Sequence, residues 1–215
     1  MIRVVLVDDH ELVRTGVKSI LDSVANIQVV AEAGTGEEAI GLIGKLEPDV
    51  VLMDVNMPGM GGIEATRRLL RKYARLKVVA LTALGDDPFP SRLSDVGAMG
   101  FLTKGCPADE MIRAIHTVYL GKPYISEEVA KKHAVSEWQG GSDNPFHELS
   151  SRETQVLMQI LEGHKNNQIS DILCLSPKTV STYRQRVMEK LKVHNDVELT
   201  RLAYRHGLLN DNESI

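Results

Sequence analysis

Along roughly the first 120 residues, short apolar runs alternate with segments whose apolar positions recur every three or four residues. The runs are Val4 to Val7, Val29 to Ala31, Val50 to Met53, Val78 to Leu81 and the shorter Gly100 to Leu102. Between them lie periodic stretches such as Leu12 to Leu21, Glu37 to Leu46 and Ile63 to Tyr73. A short unbroken apolar run reads as a strand buried on both faces, and a three-to-four period reads as an amphipathic helix. Strands and helices in alternation predict an α/β fold: a doubly wound parallel sheet of five strands, covered on both faces and joined by right-handed crossovers. In such a sheet, ligands bind beyond the carboxyl ends of the strands.

After Tyr124 the strand pattern stops. Ser136 to Glu148, "SEWQGGSDNPFHE", is polar and rich in turn-forming residues, so it reads as a linker. From Ser150 to Leu209 the period is helical throughout. Ser150 or Ser151 suits the N-cap of a first helix with Glu153 near the capping-box position, and Val156, Leu157, Ile160 and Leu161 share one face before Gly163. "NNQISDILC" is a second, short helix. A third is capped by Ser176 with Pro177 at its first position, and buries Val180, Tyr183, Val187 and Leu191; a fourth runs from about Asp196 to His206 and stops at Gly207. The expected organisation is a sheet domain over 1–121, a linker over 122–147 and an all-α four-helix domain over 148–211, with a helix-turn-helix near 166–185.

Composition narrows the class. The 215 residues are 43% hydrophobic and carry a formal net charge of -4, so two folded domains fit and any nucleic-acid surface must be local. The two cysteines, Cys106 and Cys174, have no partner spacing, which points away from a disulfide framework and towards a reducing cytoplasm. The seven histidines show no ligand spacing. No apolar stretch approaches the roughly 18 residues of a membrane span.

The chemistry sits at the strand ends. The first strand ends in Asp8-Asp9, the third in Asp54, the fourth in Thr82 and the fifth in Lys104. A parallel sheet brings these ends to one edge, so three carboxylates, a hydroxyl and an ammonium share a cleft. Any one of these acids alone reads as a turn residue or helix cap; the set of five does not. Clustered carboxylates repel unless a cation sits among them, and Mg2+, with oxygen ligands and a phosphate partner, is the economical choice.

"LVDDH", "LMDVNMPGMGG", "ALTA" and "FLTKG" resemble the receiver domain of two-component response regulators, with the motifs in order from about Met1 to Gly121. The resemblance implies a flavodoxin-like (βα)5 receiver in which Asp54 accepts a phosphoryl group from a sensor histidine kinase. It implies Mg2+ held by Asp9 and Asp54, by Asp8 largely through water, and by the Asn56 backbone carbonyl. Lys104 would pair with the phosphoryl group, Thr82 would move to hydrogen-bond it, and Phe101, three residues before the lysine, would change rotamer. Such a chain is a phosphoacceptor regulator with slow autodephosphorylation and is not an enzyme in its own right.

The region from Pro145 to Ile215 has nine basic and nine acidic residues, yet Lys178, Arg184, Arg186, Lys190 and Lys192 crowd the third helix against the single acid Glu189. A turn "CLS" precedes that helix, and its outward face carries Lys178, Ser181, Thr182 and Gln185. This layout suits a recognition helix for the major groove. The sequence from Leu149 to Leu199 resembles the LuxR/NarL-type DNA-binding domain through L-S-x-R-E, S-x-K-T-V and K-L. By that resemblance Ser181, Thr182 and Gln185 read base edges in double-stranded promoter DNA. Lys178, Thr179, Arg184 and Lys190 meet phosphates, and the last helix around Val197 to Tyr204 pairs two copies into a homodimer. Ser170 and Tyr183 depart from the commoner Ala and His of that family. "DDPFPSRL" and "CLSPKTVSTYR" are similar to the GacA/UvrY/LetA branch, which implies a hybrid sensor kinase as phosphodonor and small regulatory RNA promoters as targets.

Two other readings compete. An aspartate-nucleophile phosphatase would use similar groups, but needs Asp-x-Asp on the first strand and a cap insertion, both absent here. A helical tail that binds RNA or protein is disfavoured by the Ser-Pro-Lys-Thr-Val turn into a basic amphipathic helix.

Overall fold

The computed structural model describes residues 1–82, 94–131, 145–173, 175–206 and 208–209. The chain divides into two compact units. In the first, β1 (Ile2–Val7), α1 (Glu11–Asp22), β2 (Ile27–Ala33), α2 (Gly36–Leu46), β3 (Val50–Asp54), α3 (Gly61–Lys72), β4 (Lys77–Thr82), β5 (Gly100–Thr103), α4 (Ala108–Tyr119) and β6 (Tyr124–Ile125) follow in order. The strands form one parallel sheet in the order β2-β1-β3-β4-β5-β6.

Strict alternation along the strands splits the core in two. Val4, Leu6, Val50, Leu52, Val79, Leu81 and Leu102 pack under α1 and α4. Val5, Val7, Val51, Met53 and Val78 pack under α2 and α3 on the other face. All five residues of β3 are buried, which is why that strand reads as unbroken apolar sequence up to its final acid. Burying each large aliphatic side chain contributes roughly 1.5–3 kcal/mol, enough to fix the register that delivers Asp54 to the sheet edge.

The expectation of five strands omits β6. It is only two residues long, too short to show a period, and it pairs Tyr124 with Gly100 and Ile125 with Phe101. Residues 127–131 follow as a helical turn. The stretch read as linker from residue 122 therefore begins as part of the sheet unit. "DDPFPSRL", Trp138, Cys174 and Gly207 lie outside the described residues.

The second unit is helical: a 3-10 turn over Pro145–Glu148, then α5 (Ser151–Leu161), α6 (Asn166–Ile172), α7 (Pro177–Leu191) and α8 (Asp196–Arg205). Ser150 is the N-cap of α5 and forms a complete capping box with Glu153. Ser176 caps α7 by accepting from Thr179 N, with Pro177 at the first position. Phe146, Val156, Leu157, Ile169, Val180, Val187, Leu199 and Ala203 form its core, all fully buried. Tyr183, expected in the buried stripe, is only half-buried.

The loop after β3 depends on close backbone approach. Gly59 adopts φ 74°, a left-handed conformation that favours glycine. At Gly62 a Cβ atom would stand 1.9 Å from the Asp54 carbonyl oxygen. Gly62→Ala is expected to lower the unfolding free energy by about 1–3 kcal/mol, the usual cost of forcing extra volume into a packed site. Urea denaturation checks this, and an unchanged midpoint would mean the loop has slack that the geometry does not show.

Candidate functional site

The order of strands reverses between β1 and β3: the chain steps from β1 outwards to β2, then crosses back to β3 on the other side. A crevice opens at such a reversal, beyond the carboxyl ends of the two strands. Here β1 runs into Asp8 and Asp9, and β3 ends in Asp54. Asp8 and Asp54 are both 0% exposed, so two carboxylates lie together out of water.

Lys104, one residue past β5, supplies the opposing charge. Its Nζ is 2.8 Å from Asp54 Oδ2 and 2.8 Å from Asp8 Oδ2. The two contacts differ in kind: Lys104 hydrogen-bonds Asp54, whereas Asp8 Oδ2 is close in charge but lacks a well-formed hydrogen bond. The other oxygen of Asp54 accepts from Asn56 N at 3.0 Å, which fixes the plane of the carboxylate.

These surroundings set the titration of the pair. Burial raises the Asp54 pKa from 3.8 to about 6, Lys104 opposes the rise, and the Asp8 charge adds to it. For Lys104 burial acts downwards, but its hydrogen bond to Asp54 and the close carboxylates of Asp54 and Asp8 outweigh that and hold the ammonium above its usual value.

The sequence reading gave no role to any histidine, yet His10 joins the cluster. Its backbone N–H donates to Asp8 Oδ1 at 2.8 Å, and Nδ1 lies 3.2 Å from that oxygen and 3.0 Å from Asp9 Oδ1. The only signal was its position next to the two acids. Arg14, on the first helix, likewise donates to the Asp8 carbonyl at 2.6 Å and steadies the end of β1. Ligand atoms of Asp8, Asp9, His10 and Asp54 all lie within 4.8 Å of one another. A compact, mostly carboxylate set with a buried oxygen short of hydrogen bonds suits a hard divalent cation such as Mg2+.

Thr82 ends β4, beside Thr103 in the register, and its carbonyl accepts from Lys104 N at 2.7 Å. Phe101 is not in the crevice. It is 5% exposed and packs with Val55, Ile63, Ala80, Ala98 and Val129.

In the helical unit, Lys178, Ser181, Thr182 and Gln185 are exposed on α7, away from the buried Val180, Val187 and Leu191. Thr179 is half-buried and its hydroxyl lies 2.8 Å from that of the capping Ser176. Two cations expected to meet phosphates instead have partners inside the unit. Lys190 Nζ donates to Glu153 Oε2 at 2.6 Å and to the Glu148 carbonyl at 3.0 Å, closing off the capping box of α5. Arg184 donates to Asn166 Oδ1 at 3.1 Å and forms an ion pair with Asp196, so it clasps the first residues of α6 and α8. Position 184 lies beside the buried stripe rather than opposite it, which composition alone does not reveal. Val197 and Tyr204 are exposed on α8, 62% and 45%.

An acidic crevice at the switch point of this sheet, followed in one chain by a capped helix-turn-helix, is the construction of a response regulator, and the family comparisons agree. Residues 4–116 match the response regulator receiver domain, and residues 147–203 match the luxR family of bacterial regulatory proteins. The chain belongs to the luxR-family response regulators, which regulate transcription by phosphorylation-dependent DNA binding. It is 52% identical over 210 residues to the response regulator GacA of Pseudomonas protegens, covering 98% of this chain and 99% of that one. It is 47% identical over 211 residues to the response regulator UvrY of Escherichia coli K12, covering 98% and 97%. Among solved structures, RcsB of Salmonella enterica serovar Typhimurium, bound to promoter rprA with the phosphomimetic BeF3-, superposes with TM-score 0.67 at 26% identity, over 95% of this chain and 99% of that one. The response regulator ChrA of a heme-sensing two-component system gives 0.55 at 35% identity, over 97% and 98%.

Burial of the Asp54 charge has a consequence for stability. Between pH 3.8 and about 6 the folded protein holds a proton on Asp54 that the unfolded chain has released, so this group's stabilising contribution falls as pH rises through that window. Above it, a burial cost on the order of 2–3 kcal/mol remains. In metal-free protein, Asp54→Asn is therefore expected to raise stability at pH 7.5 and to remove that pH dependence, because Lys104 keeps Asp8 as a partner. Thermal unfolding of both forms at pH 4.5 and 7.5 tests this; a destabilised variant at pH 7.5 would show that the Lys104 bond outweighs burial.

Proposed function

We propose that Asp54 is the phosphoacceptor and that the observation carrying this role is the position of Lys104, 2.8 Å from both Asp54 and Asp8. The donor on this reading is a phosphohistidine of a hybrid sensor kinase. An Asp54 oxygen forms a bond to phosphorus as the donor's P–N bond breaks, and Asn56 N holds the carboxylate in plane. Lys104 is already placed to neutralise charge on the phosphoryl oxygens. Asp8, Asp9, Asp54 and the Asn56 carbonyl would hold Mg2+, which supplies charge neutralisation at the transferring group when bound.

Phosphorylation adds roughly 1.5 to 2 negative charges beside buried carboxylates. Lys104 then turns from Asp8 to the phosphoryl group, Thr82 moves in to hydrogen-bond it, and Phe101 follows into the space Thr82 leaves. The receiver, read as 1–121, extends through β6, so the connecting segment begins after the turn at 127–131 rather than at 122.

In the helical unit, Ser181, Thr182 and Gln185 are the base-reading side chains, and Lys178 and Thr179 meet phosphates. Arg184 and Lys190 act indirectly, by holding α6, α7 and α8 together. The exposed Val197 and Tyr204 support pairing of two copies on DNA through α8. The absence of any helix long and apolar enough to cross a membrane, among the described residues, is consistent with a cytoplasmic regulator.

Two outcomes test this reading. Asp54→Asn and Asp54→Ala are expected to take up no label from radiolabelled acetyl phosphate while remaining folded; label on either variant would move the acceptor elsewhere. For DNA, fragments captured from genomic DNA with and without phosphorylation define the preferred duplex. Gln185→Ala is then expected to narrow the gap between that duplex and random DNA by about 1–3 kcal/mol, whereas Lys178→Ala weakens both alike. Equal loss on both duplexes in the Gln185 variant would sink its base-reading role.

A further inference from the structure

The chain that leaves the sheet unit is fastened to Phe101 by both its backbone and a side chain. Ile125 lies opposite Phe101 in the β5–β6 register, and Ser126 N donates to the Phe101 carbonyl at 3.0 Å. The Ser126 hydroxyl accepts from Val129 N at 3.4 Å and its carbonyl from Ala130 N at 2.9 Å, which starts the turn over 127–131. Of residues 126–131 only Ser126 and Val129 are buried. The exposed Glu127–Lys131 ion pair contributes little to docking. The turn is therefore held down chiefly by Val129, and Val129 is seated in the cluster of Val55, Ile63, Ala80, Ala98 and Phe101.

That cluster touches the chemistry at one end and the departing chain at the other. Val55 follows Asp54 directly, and Phe101 lies three residues before Lys104. We infer that Val129 senses the position of Phe101: when the aromatic ring leaves the cluster, Val129 loses its packing and the turn 126–131 loosens from the sheet. This rests on the switch role proposed for Phe101. It makes the first turn of the connecting segment a part of the switch, reached through apolar contact rather than through a change in charge. A packed cluster of this size has no slack to absorb the departure of a phenylalanine, so the side chain opposite must move or lose contacts.

The test uses the full-length chain labelled with fluorophenylalanine. Its three phenylalanines are Phe89, Phe101 and Phe146, and Phe101→Leu identifies the Phe101 resonance by its loss. Adding Mg2+ with beryllofluoride is expected to shift that resonance and to speed hydrogen exchange at the Ala130 amide about tenfold. Val129→Ala is expected to show fast exchange at Ala130 without beryllofluoride. Val129→Thr, which keeps the shape but adds a hydroxyl, is expected to be intermediate. A shifted Phe101 resonance with unchanged Ala130 exchange would overturn the coupling while leaving the switch intact. A Phe101 resonance that does not respond would overturn the switch role and the inference with it.

Discussion

Two carboxylates, Asp8 and Asp54, are buried side by side at the point where the strand order reverses, and one ammonium, Lys104, stands 2.8 Å from each. Burial raises the proton affinity of Asp54, and the nearby Asp8 charge adds to it. Without Lys104 the crevice would have to be protonated, opened to water or filled by a cation. With it, the negative charge is held ready but not satisfied: Asp8 Oδ2 still lacks a well-formed hydrogen bond, and the Asp54 pKa remains raised to about 6. The apolar strands, the glycines after β3 and the tight passage of Gly62 over the Asp54 carbonyl all serve to keep these three groups in one place.

The helical unit uses charge in a different way. Glu153 is 3% exposed, and it both completes the Ser150 capping box and accepts from Lys190. Arg184 similarly secures the amino ends of two helices through Asn166 and Asp196. With these two cations engaged internally, the exposed residues of α7 include Lys178 and Arg186 beside the neutral side chains Ser181, Thr182 and Gln185.

Much of this was legible in the sequence because the signals are local. β3 is a continuous apolar run that ends in an acid, Ser176-Pro177 marks a helix start, and the strand-end residues Asp8, Asp54, Thr82 and Lys104 converge once the strands are taken as parallel. What was not legible depends on partners far apart in the chain. Arg184 and Asp196 are 12 residues apart, Lys190 and Glu153 are 37 apart, and each cation looked like part of a basic face until its partner was placed. His10 was passed over because spacing rules look for ligands at intervals, and its neighbours in the cluster are the two residues just before it. β6 escaped because two residues cannot display a period of two.

The sixth strand also changes where the receiver can be said to end. Phe101 lies on β5 and Lys104 follows directly after the strand's last residue, three positions on. β5 and the residue just after it thus hold the group that packs against Val129 and the group that meets charge at the crevice. A strand with ladder bonds to β4 on one side and β6 on the other is stiff along its length. On the proposed switch, Phe101 answers to the space Thr82 leaves, and Ser126 is one hydrogen bond away from the Phe101 carbonyl. On the proposed reading, the path from phosphoryl group to departing chain needs no long relay. Its length is one strand.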